Sequence, residues 1–412
     1  MKNPLFFDHA STTPACPQAV ETVRKYANEE FGNPSSAHAL GQKCAQAIRD
    51  ARKYFAHHFR VEPEQVIFTG GGTESDNLAI QGTALRILSR AKNPDEVART
   101  RVLASATEHP AVTKTVTSLK DFGFDCQFIP VKGDGQIDLD RFSQLLSQDT
   151  AIVSIQQVNN ILGTVHPVED LARFAKKVNP SLIFHTDAVQ AFGKVPSPKA
   201  PSPVDLVSIS AHKIGGPKGV GALIALNPAI VKQALLRPLI WGGGQEDGMR
   251  SGTQNAGLIA GFHLAAEETI KATEARQRHL ETLNKVLKKS LIQRNLLSAD
   301  PKQISPLVWN SSEKSIPGIV SLSAPGLPSS SLAMLLEQRG IVVSTGSACS
   351  SKKMEPDSVL SAMGCPLEIS GSAIRISMSH EHTEADISTL AATFDDAVQL
   401  MTKLYKPRRE PH

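Results

Sequence analysis

The sequence predicts an α/β fold in which a doubly wound, mainly parallel sheet is followed by a second, smaller α/β unit. Short apolar runs rich in β-branched residues alternate with longer segments whose apolar residues recur at helical spacing. Polar residues repeatedly follow the predicted strands at their carboxyl ends, which is where open α/β sheets bind ligands. At 412 residues the chain is also too long for one ordinary hydrophobic core.

The composition is typical of a globular protein and excludes several function classes. Hydrophobic residues make up 41% of the chain and charged residues 20%. The net charge is only +4 and the basic residues are scattered, so we expect no direct nucleic-acid binding and no membrane binding. No apolar run approaches the ~20 residues of a membrane span.

The cysteines and the N-terminus favour a reducing compartment. The five cysteines are widely spaced, and no two have the spacing of a metal site or a redox pair. We therefore expect free thiols, no metal and, since the first residues resemble neither a signal nor a transit peptide, a cytoplasmic location. The cysteines are Cys16, Cys44, Cys126, Cys349 and Cys365.

The first unit is predicted to alternate strands with helices. Helices are expected at 17–29, 40–59 and 73–88. The predicted strands lie at 5–7, 65–69, 101–104, 151–155, 181–186, 206–209 and 219–226.

A glycine turn between a strand and a helix forms the first candidate site. Gly70-Gly71-Gly72 follows the strand at 65–69, and Thr73-Glu74-Ser75-Asp76 matches a capping box. Free N–H groups and the positive end of the helix dipole would make this turn an anion site, for example for phosphate. A tight turn without a ligand is the alternative.

A lysine follows the strand at 206–209, and other polar residues follow neighbouring strands. Desolvation would favour the neutral amine of Lys213, which Schiff-base chemistry requires, although most lysines at strand ends are solvated. The lysine and its neighbours comprise an amine, an acid, an amide and a ring that can stack, and this combination suits pyridoxal phosphate. The cofactor's ring acts as an electron sink when a carboxylate keeps the ring nitrogen protonated. These partners are His109, Asn160, Asp187 and Gln190.

The second unit begins after long predicted helices at 258–292. We expect a large domain at 16–262 and a small domain formed by 1–15 and 263–412. The small domain should contain strands at 319–323, 341–343 and 373–378 and helices at 330–338 and 384–405. Its loop at about 344–356 is rich in small residues and carries Cys349.

Motifs along nearly the whole chain resemble those of the cysteine desulfurases, which are fold type I pyridoxal-phosphate enzymes of the class V aminotransferase group. The resemblance implies a large domain with a mainly parallel, seven-stranded sheet and a smaller α/β C-terminal domain. The motifs are residues 6–14, Phe31-Gly32-Asn33-Pro34, Thr73-Glu74-Ser75-Asp76-Asn77, Thr107-Glu108-His109, Val158-Asn159-Asn160, Asp187-Ala188-Val189-Gln190, Ser210-Ala211-His212-Lys213, Arg250-Ser251-Gly252-Thr253 and Gly346-Ser347-Ala348-Cys349.

The resemblance also implies roles for individual residues. Lys213 would bind the pyridoxal phosphate covalently, Asp187 would pair with its ring nitrogen, Gln190 would lie near its phenolic oxygen, and His109 would stack on the ring. Gly72, Thr73, Ser210 and His212 would surround the phosphate, and Thr253 would reach the cofactor of the other subunit of a homodimer. Asn160, which also belongs to the cofactor set, would hold the substrate carboxylate with Arg375 and Asn33.

The implied reaction converts L-cysteine to L-alanine. The freed Lys213 amine removes the Cα proton, and the Cys349 thiolate takes the sulfur as a persulfide. An acceptor protein of iron–sulfur cluster assembly or of thiolation would then receive that sulfur. Two residues depart from the family pattern: Ile161 stands where an acidic residue is usual, and Asp247 stands where an arginine is usual.

Two other hypotheses remain at this point. One is a different fold type I enzyme, such as a selenocysteine lyase or an aminotransferase, although an ordinary aminotransferase needs no thiol at the position of Cys349. The other is a non-catalytic sulfur-handling partner, against which the presence of both Lys213 and Asp187 argues.

Overall fold

The computed structural model describes residues 4–300, 303–346 and 355–405. Cys349 lies outside these residues, so its predicted role has no structural counterpart here. Thirteen strands and thirteen α-helices fall within the described ranges.

The strands divide among three sheets. They are β1 (Leu5–Phe6), β2 (Val66–Thr69), β3 (Arg101–Ser105), β4 (Asp125–Ile129), β5 (Thr150–Ser154), β6 (Ile183–Asp187), β7 (Leu206–Ser210), β8 (Gly221–Ala225), β9 (Val308–Trp309), β10 (Ile319–Ser323), β11 (Ile341–Val342), β12 (Ser344–Thr345) and β13 (Ala373–Ser377).

The helices flank these sheets. They are α1 (Pro17–Asn28), α2 (Ala39–Phe59), α3 (Gly72–Leu88), α4 (Pro94–Arg99), α5 (Pro110–Ser118), α6 (Leu139–Leu145), α7 (Val168–Val178), α8 (Ala229–Lys232), α9 (Ala256–Gln293), α10 (Ser329–Gln338), α11 (Ser358–Ala362), α12 (Leu367–Ser370) and α13 (Glu384–Tyr405).

The largest sheet has seven strands in the order β2-β8-β7-β6-β5-β3-β4. β8 runs antiparallel to both of its neighbours, and the other pairs are parallel, which confirms the predicted, mainly parallel sheet. Every residue of β2, β6, β7 and β8 is buried. Helices cover both faces of such a sheet, which is why these strands appear in the sequence as uninterrupted apolar runs.

One strand of this sheet was missed in the sequence. β4 has the sequence Asp-Cys-Gln-Phe-Ile, and Ile129 is its only β-branched residue. It forms an edge of the sheet and has part-exposed positions. A short edge strand with this composition does not produce the apolar run by which the central strands were predicted.

A smaller, antiparallel sheet has the order β12-β13-β10-β9. It packs with α10 and α13 around a second apolar core that contains Leu283, Leu287 and Leu291 of α9. The amino-terminal part of α9, including Ile259 and Phe262, packs in the core of the large sheet. The expected long helices at 258–292 are thus a single helix of 38 residues that joins the two cores.

The division into two domains at residues 262 and 263 stays a prediction, and that boundary falls inside α9. The pairing of β1 with β11 supports the assignment of the first residues to the small domain. None of the described helices has the length and apolar character needed to cross a bilayer.

Candidate active site

A cavity of about 380 Å³ lies at the carboxyl ends of β6 and β7 and contains most of the predicted site residues. In register, Asp187 of β6 pairs with Ser208 of β7, so the polar residues that end the two strands reach the same edge of the sheet. The predicted residues that line the cavity are Gly72, Thr73, His109, Asn160, Asp187, Gln190, Ser210, His212, Lys213 and Arg375.

Lys213 ends a short 3₁₀ turn, Ala211–Lys213, that follows β7 directly. Its Nζ donates hydrogen bonds to the carbonyl oxygens of Ala10 and Ser11, both at 2.7 Å. Burial, with a contribution from the charge of Arg375, lowers the pKa of Lys213 to about 8. A lysine in this environment has a substantial neutral fraction near physiological pH, and Schiff-base formation requires the neutral amine.

Asp187 is buried at the end of β6. Burial raises the pKa of its carboxyl group above the ordinary value, and a 2.8 Å hydrogen bond from the Val189 N–H, with the charges that His109 and Lys213 carry when protonated, offsets part of this effect. These three groups therefore favour the carboxylate that a protonated ring nitrogen would need as its partner.

Two further buried carboxyl groups, Asp76 and Glu108, were not recognised in the sequence. Burial and then the charge of Asp187 raise the pKa of each well above its ordinary value. Burial and the charge of Asp187 thus disfavour the charged forms of Asp76 and Glu108, whereas Asp187 has the amine of Lys213 near it. Asp76 lines the cavity, but its motif suggested only a helix cap, and its burial depends on the packing of α3 against the sheet.

The amino-terminus of α3 faces the cavity as predicted, but its capping differs from the prediction. The N-cap is Gly71, which has no side chain to cap the helix, and not Thr73. Glu74 accepts the Gly70 N–H at 2.8 Å and forms an ion pair with Arg250, so its carboxylate does not complete a capping box. The predicted capping box is therefore wrong.

The glycines of this turn allow the backbone to approach the cavity closely. Gly71 has a φ of 150°, which favours glycine, and a Cβ at Gly72 would lie 2.6 Å from Cγ2 of Val189. The nearby hydroxyl group of Ser210 is buried and has no hydrogen-bond partner among the described residues. The uncapped N–H groups and this hydroxyl provide donors suited to an anion.

Both histidines of the cavity are held in neutral forms. His109 is the N-cap of α5, and its Nδ1 accepts the Ala111 N–H at 3.1 Å, which places the ring proton on Nε2. Burial lowers the pKa of His109, and burial together with the charge of Lys213 lowers the pKa of His212 to about 4. Nδ1 of His212 lies 3.2 Å from Oγ1 of Thr12.

Arg375 of β13 extends from the small sheet into the cavity wall. One of its terminal nitrogens, Nη2, donates to Asp8 Oδ1 and to Ser11 Oγ, both at 2.6 Å, and Nη1 donates to the Asn160 carbonyl at 2.9 Å. Its Nε is buried and has no partner among the described residues. The sequence had not indicated Asp8 as a partner, because 367 positions separate the two residues.

Three predicted site residues do not line this cavity. Asn33 is exposed, and its side chain accepts the Ser35 N–H in a local turn. Thr253 is exposed as well, and Cys349 lies outside the described residues. The single chain thus brings together the predicted cofactor residues other than Thr253, together with Asn160 and Arg375.

Comparison with known proteins agrees with the fold. The class-V aminotransferase family model matches residues 5–390. The chain is 35% identical over 405 residues to the cysteine desulfurase IscS of Dictyoglomus turgidum, covering 98% of this chain and 96% of that protein. The structure of a NifS-like protein superimposes with a TM-score of 0.84 at 33% identity, covering 96% of this chain and 100% of that chain.

A further solved structure is similar along most of the chain. The protein described as SspA in complex with cysteine matches with a TM-score of 0.76 at 29% identity, covering 92% of this chain and 100% of that chain.

The match to the family model shows that the chain belongs to the class-V aminotransferase family, whose members are pyridoxal-phosphate enzymes. Its full-length similarity to such relatives makes it an enzyme of the cysteine desulfurase type, which confirms the family and the fold predicted from the motifs.

We expect Lys213 to react with aldehydes at a lower pH than a surface lysine does. Because its pKa is about 8, Lys213 is neutral in about half of the molecules at pH 8, whereas a lysine of ordinary pKa is neutral in roughly one of 250. Incubation with pyridoxal phosphate, borohydride trapping and peptide mapping measure the labelling rate at each pH. Labelling of Lys213 should level off above about pH 8.

The exposed Lys289 of α9 is the internal control, and its labelling should continue to rise toward pH 10. The Lys213→Ala variant should lose the corresponding labelled peptide. A labelling rate for Lys213 that follows that of Lys289 would contradict the lowered pKa.

Proposed function

We propose that the chain converts L-cysteine to L-alanine with pyridoxal phosphate on Lys213, and that Cys349 takes the sulfur as a persulfide. The observation that carries the proposal is the convergence of an amine, a buried carboxylate, an uncapped helix terminus and a guanidinium on one cavity of about 380 Å³. These groups are Lys213, Asp187, the start of α3 and Arg375.

The residues present fit the cofactor. When bound, pyridoxal phosphate supplies an electron sink for deprotonation of the amino acid. The unpartnered Ser210 hydroxyl and the uncapped N–H groups at the start of α3 suit its phosphate. The buried carboxylate of Asp187 suits its ring nitrogen, and the neutral ring of His109 provides a flat, uncharged face in the same cavity.

Arg375 would bind the substrate carboxylate, together with Asn160. Asp8 and Ser11 hold Nη2 of the guanidinium group, and no described residue accepts from the Nε–H. A bound carboxylate would satisfy this buried donor, which is otherwise unfavourable. The ion pair with Asp8 holds the guanidinium in position.

Lys213 would move the proton at Cα of the substrate. Its lowered pKa gives a substantial neutral fraction near pH 8, and a general base is most effective when its pKa lies near the working pH. After proton uptake, the carbonyl oxygens of Ala10 and Ser11 can accept the N–H groups of the resulting ammonium, as they do in this structure.

The sulfur step would form one bond and break another. The Cys349 thiolate attacks the substrate sulfur, so an S–S bond forms on Cys349 while the C–S bond breaks. The bonding electron pair stays with the former Cβ, which takes a proton and becomes the methyl group of alanine. The persulfide sulfur then passes to an acceptor protein of iron–sulfur cluster assembly or of a thiolation pathway.

We further propose that the enzyme is a cytoplasmic homodimer in which Thr253 serves the site of the other subunit. Thr253 is exposed and does not line the cavity of its own chain. A residue that contacts the cofactor of the other subunit has to be accessible on the surface of its own subunit. The loop that precedes it is held by the ion pair between Arg250 and Glu74 at the start of α3.

Replacement of Cys349 by serine should abolish the release of sulfide from L-cysteine, because the hydroxyl group cannot accept the sulfur. Assays with L-cysteine and a reductant measure sulfide and alanine together. The matched control is Cys365→Ser, which changes a part-buried free thiol of the small domain and should leave sulfide release unchanged. Undiminished sulfide release by Cys349→Ser would reject the proposed sulfur acceptor.

Replacement of Asp187 by asparagine should slow the removal of the Cα proton while the protein still folds. The amide is similar in size but cannot provide the negative charge for the ring nitrogen, so a loss of roughly ten- to a hundred-fold is expected. The rate of deuterium loss from α-deuterated cysteine measures this step. Asp170→Asn, an exposed change on α7, is the control, and an unchanged rate in Asp187→Asn would place the carboxylate elsewhere.

Complementation between subunits tests the homodimer. Thr253→Ala should weaken cofactor binding by roughly three- to ten-fold, the effect of one hydrogen bond. Mixed dimers of Thr253→Ala and Lys213→Ala subunits contain one site with both native residues and should recover one high-affinity site per dimer. The control is Thr282→Ala on the exposed side of α9, and failure of mixing to restore that site would exclude a shared cofactor site.

A further inference from the structure

A second cavity lies beside the active-site cavity, on the other side of Lys213. Its volume is about 390 Å³, and both cavities are lined by Ala10 and Lys213. Lys194 lines the second cavity and points its amine toward Gln190, which lines the first. The Nζ of Lys194 donates to Oε1 of Gln190 at 2.8 Å.

The side-chain amide of Gln190 is held at both ends. At one end, Oε1 accepts from Lys194; at the other, Nε2 donates to the Ala10 carbonyl at 2.7 Å. The lysine amine donates to Oε1 in this structure, and a carbonyl group only accepts. The two neighbours therefore permit a single orientation of an amide whose ends are otherwise similar in shape.

The same carbonyl oxygen connects this amide to the reactive lysine. Ala10 accepts from Nζ of Lys213 at 2.7 Å as well as from Gln190. A reversed amide would direct an oxygen at the Ala10 carbonyl and would set an acceptor against an acceptor. The orientation of Gln190 thus affects both its own donors in the cavity and the partner that Lys213 shares with it.

We propose that Lys194 is a positioning residue, which holds Gln190 with its N–H groups toward Ala10 and the cofactor cavity. The inference rests on the proposed function, since the cavity that Gln190 lines is the one assigned to pyridoxal phosphate. Held in this way, Gln190 presents a donor, and not an acceptor, to an oxygen of the bound cofactor.

Packing alone does not explain an amine at this position. Burial, with the charges of Lys213 and Arg375, lowers the pKa of Lys194 to about 7, which shows that its charged form is disfavoured there. An apolar side chain of similar length would avoid this penalty. The hydrogen bond to Gln190 is the contact that an apolar side chain could not make.

A double-mutant cycle tests the proposal through cofactor binding. The variants are Lys194→Met, Gln190→Met and the double variant, and the measurements are the dissociation constant of the cofactor-free protein for pyridoxal phosphate and the visible absorbance maximum of the bound cofactor. Lys194→Met should weaken binding by roughly three- to ten-fold and shift the maximum. In the Gln190→Met background, the same change should have no further effect, because no amide is left to orient.

Controls separate the other outcomes. An equal effect of Lys194→Met in both backgrounds, or no effect in either, would overturn the proposal, since the lysine would then act by its charge or not at all. Lys289→Met, an exposed change on α9, should leave both measurements unchanged. If the methionine variant does not fold, Lys194→Ala takes its place in the cycle. Lys194 lines a cavity already, so a shorter side chain there enlarges that cavity and creates no steric clash.

The proposed function and this inference fail in different ways. A wild-type protein that forms no borohydride-stable adduct at Lys213 would reject the proposed function. A wild-type protein that binds pyridoxal phosphate at Lys213 but shows additive effects in the cycle would reject only the role of Lys194.

Discussion

The parallel pairing of β6 with β7 is the constraint on which the active site depends. Asp187 and Ser208 are partners in this register, so the carboxylate that ends one strand and the lysine turn that follows the other lie at the same edge of the sheet. A shift by one residue would turn Asp187 to the opposite face of the sheet. The buried, apolar residues on either side of these strands maintain the register, and the chemistry of the site therefore depends on the packing of the core.

The amino-terminal segment joins the two sheets at this edge. Ala10 and Ser11 accept from Lys213, whereas Asp8 and Ser11 accept from Arg375 of the small sheet. A few residues of irregular chain thus position the proposed cofactor lysine and the proposed carboxylate-binding arginine together. Lys213 is held by backbone carbonyl groups of this segment. Any residue type has such a group, so the side chains of the segment did not reveal this contact in the sequence.

Sequence patterns were informative where a residue's own neighbours determine its structure. The central strands appeared as continuous apolar runs, and Asp187 and Lys213 were found because they lie where such runs end. The capping box at Thr73 was a wrong prediction because α3 already begins at Gly72, with Gly71 as its N-cap, so Thr73 lies inside the first turn and Asp76 is buried. Asp8, Asp76, Glu108 and Lys194 were not recognised, because their importance lies in contacts that cross the fold.

The sequence by itself determined the central strands of the large sheet, the class of the fold, and the types of group that the site contains, with Lys213 and Asp187 at successive strand ends. These properties follow from local apolar periodicity and from the geometry of parallel sheets. The tertiary structure alone decided the electrostatic state of the site. The pKa of Lys213 is about 8 and that of Lys194 about 7, because burial and neighbouring charges from remote segments set the free energy of each charged form.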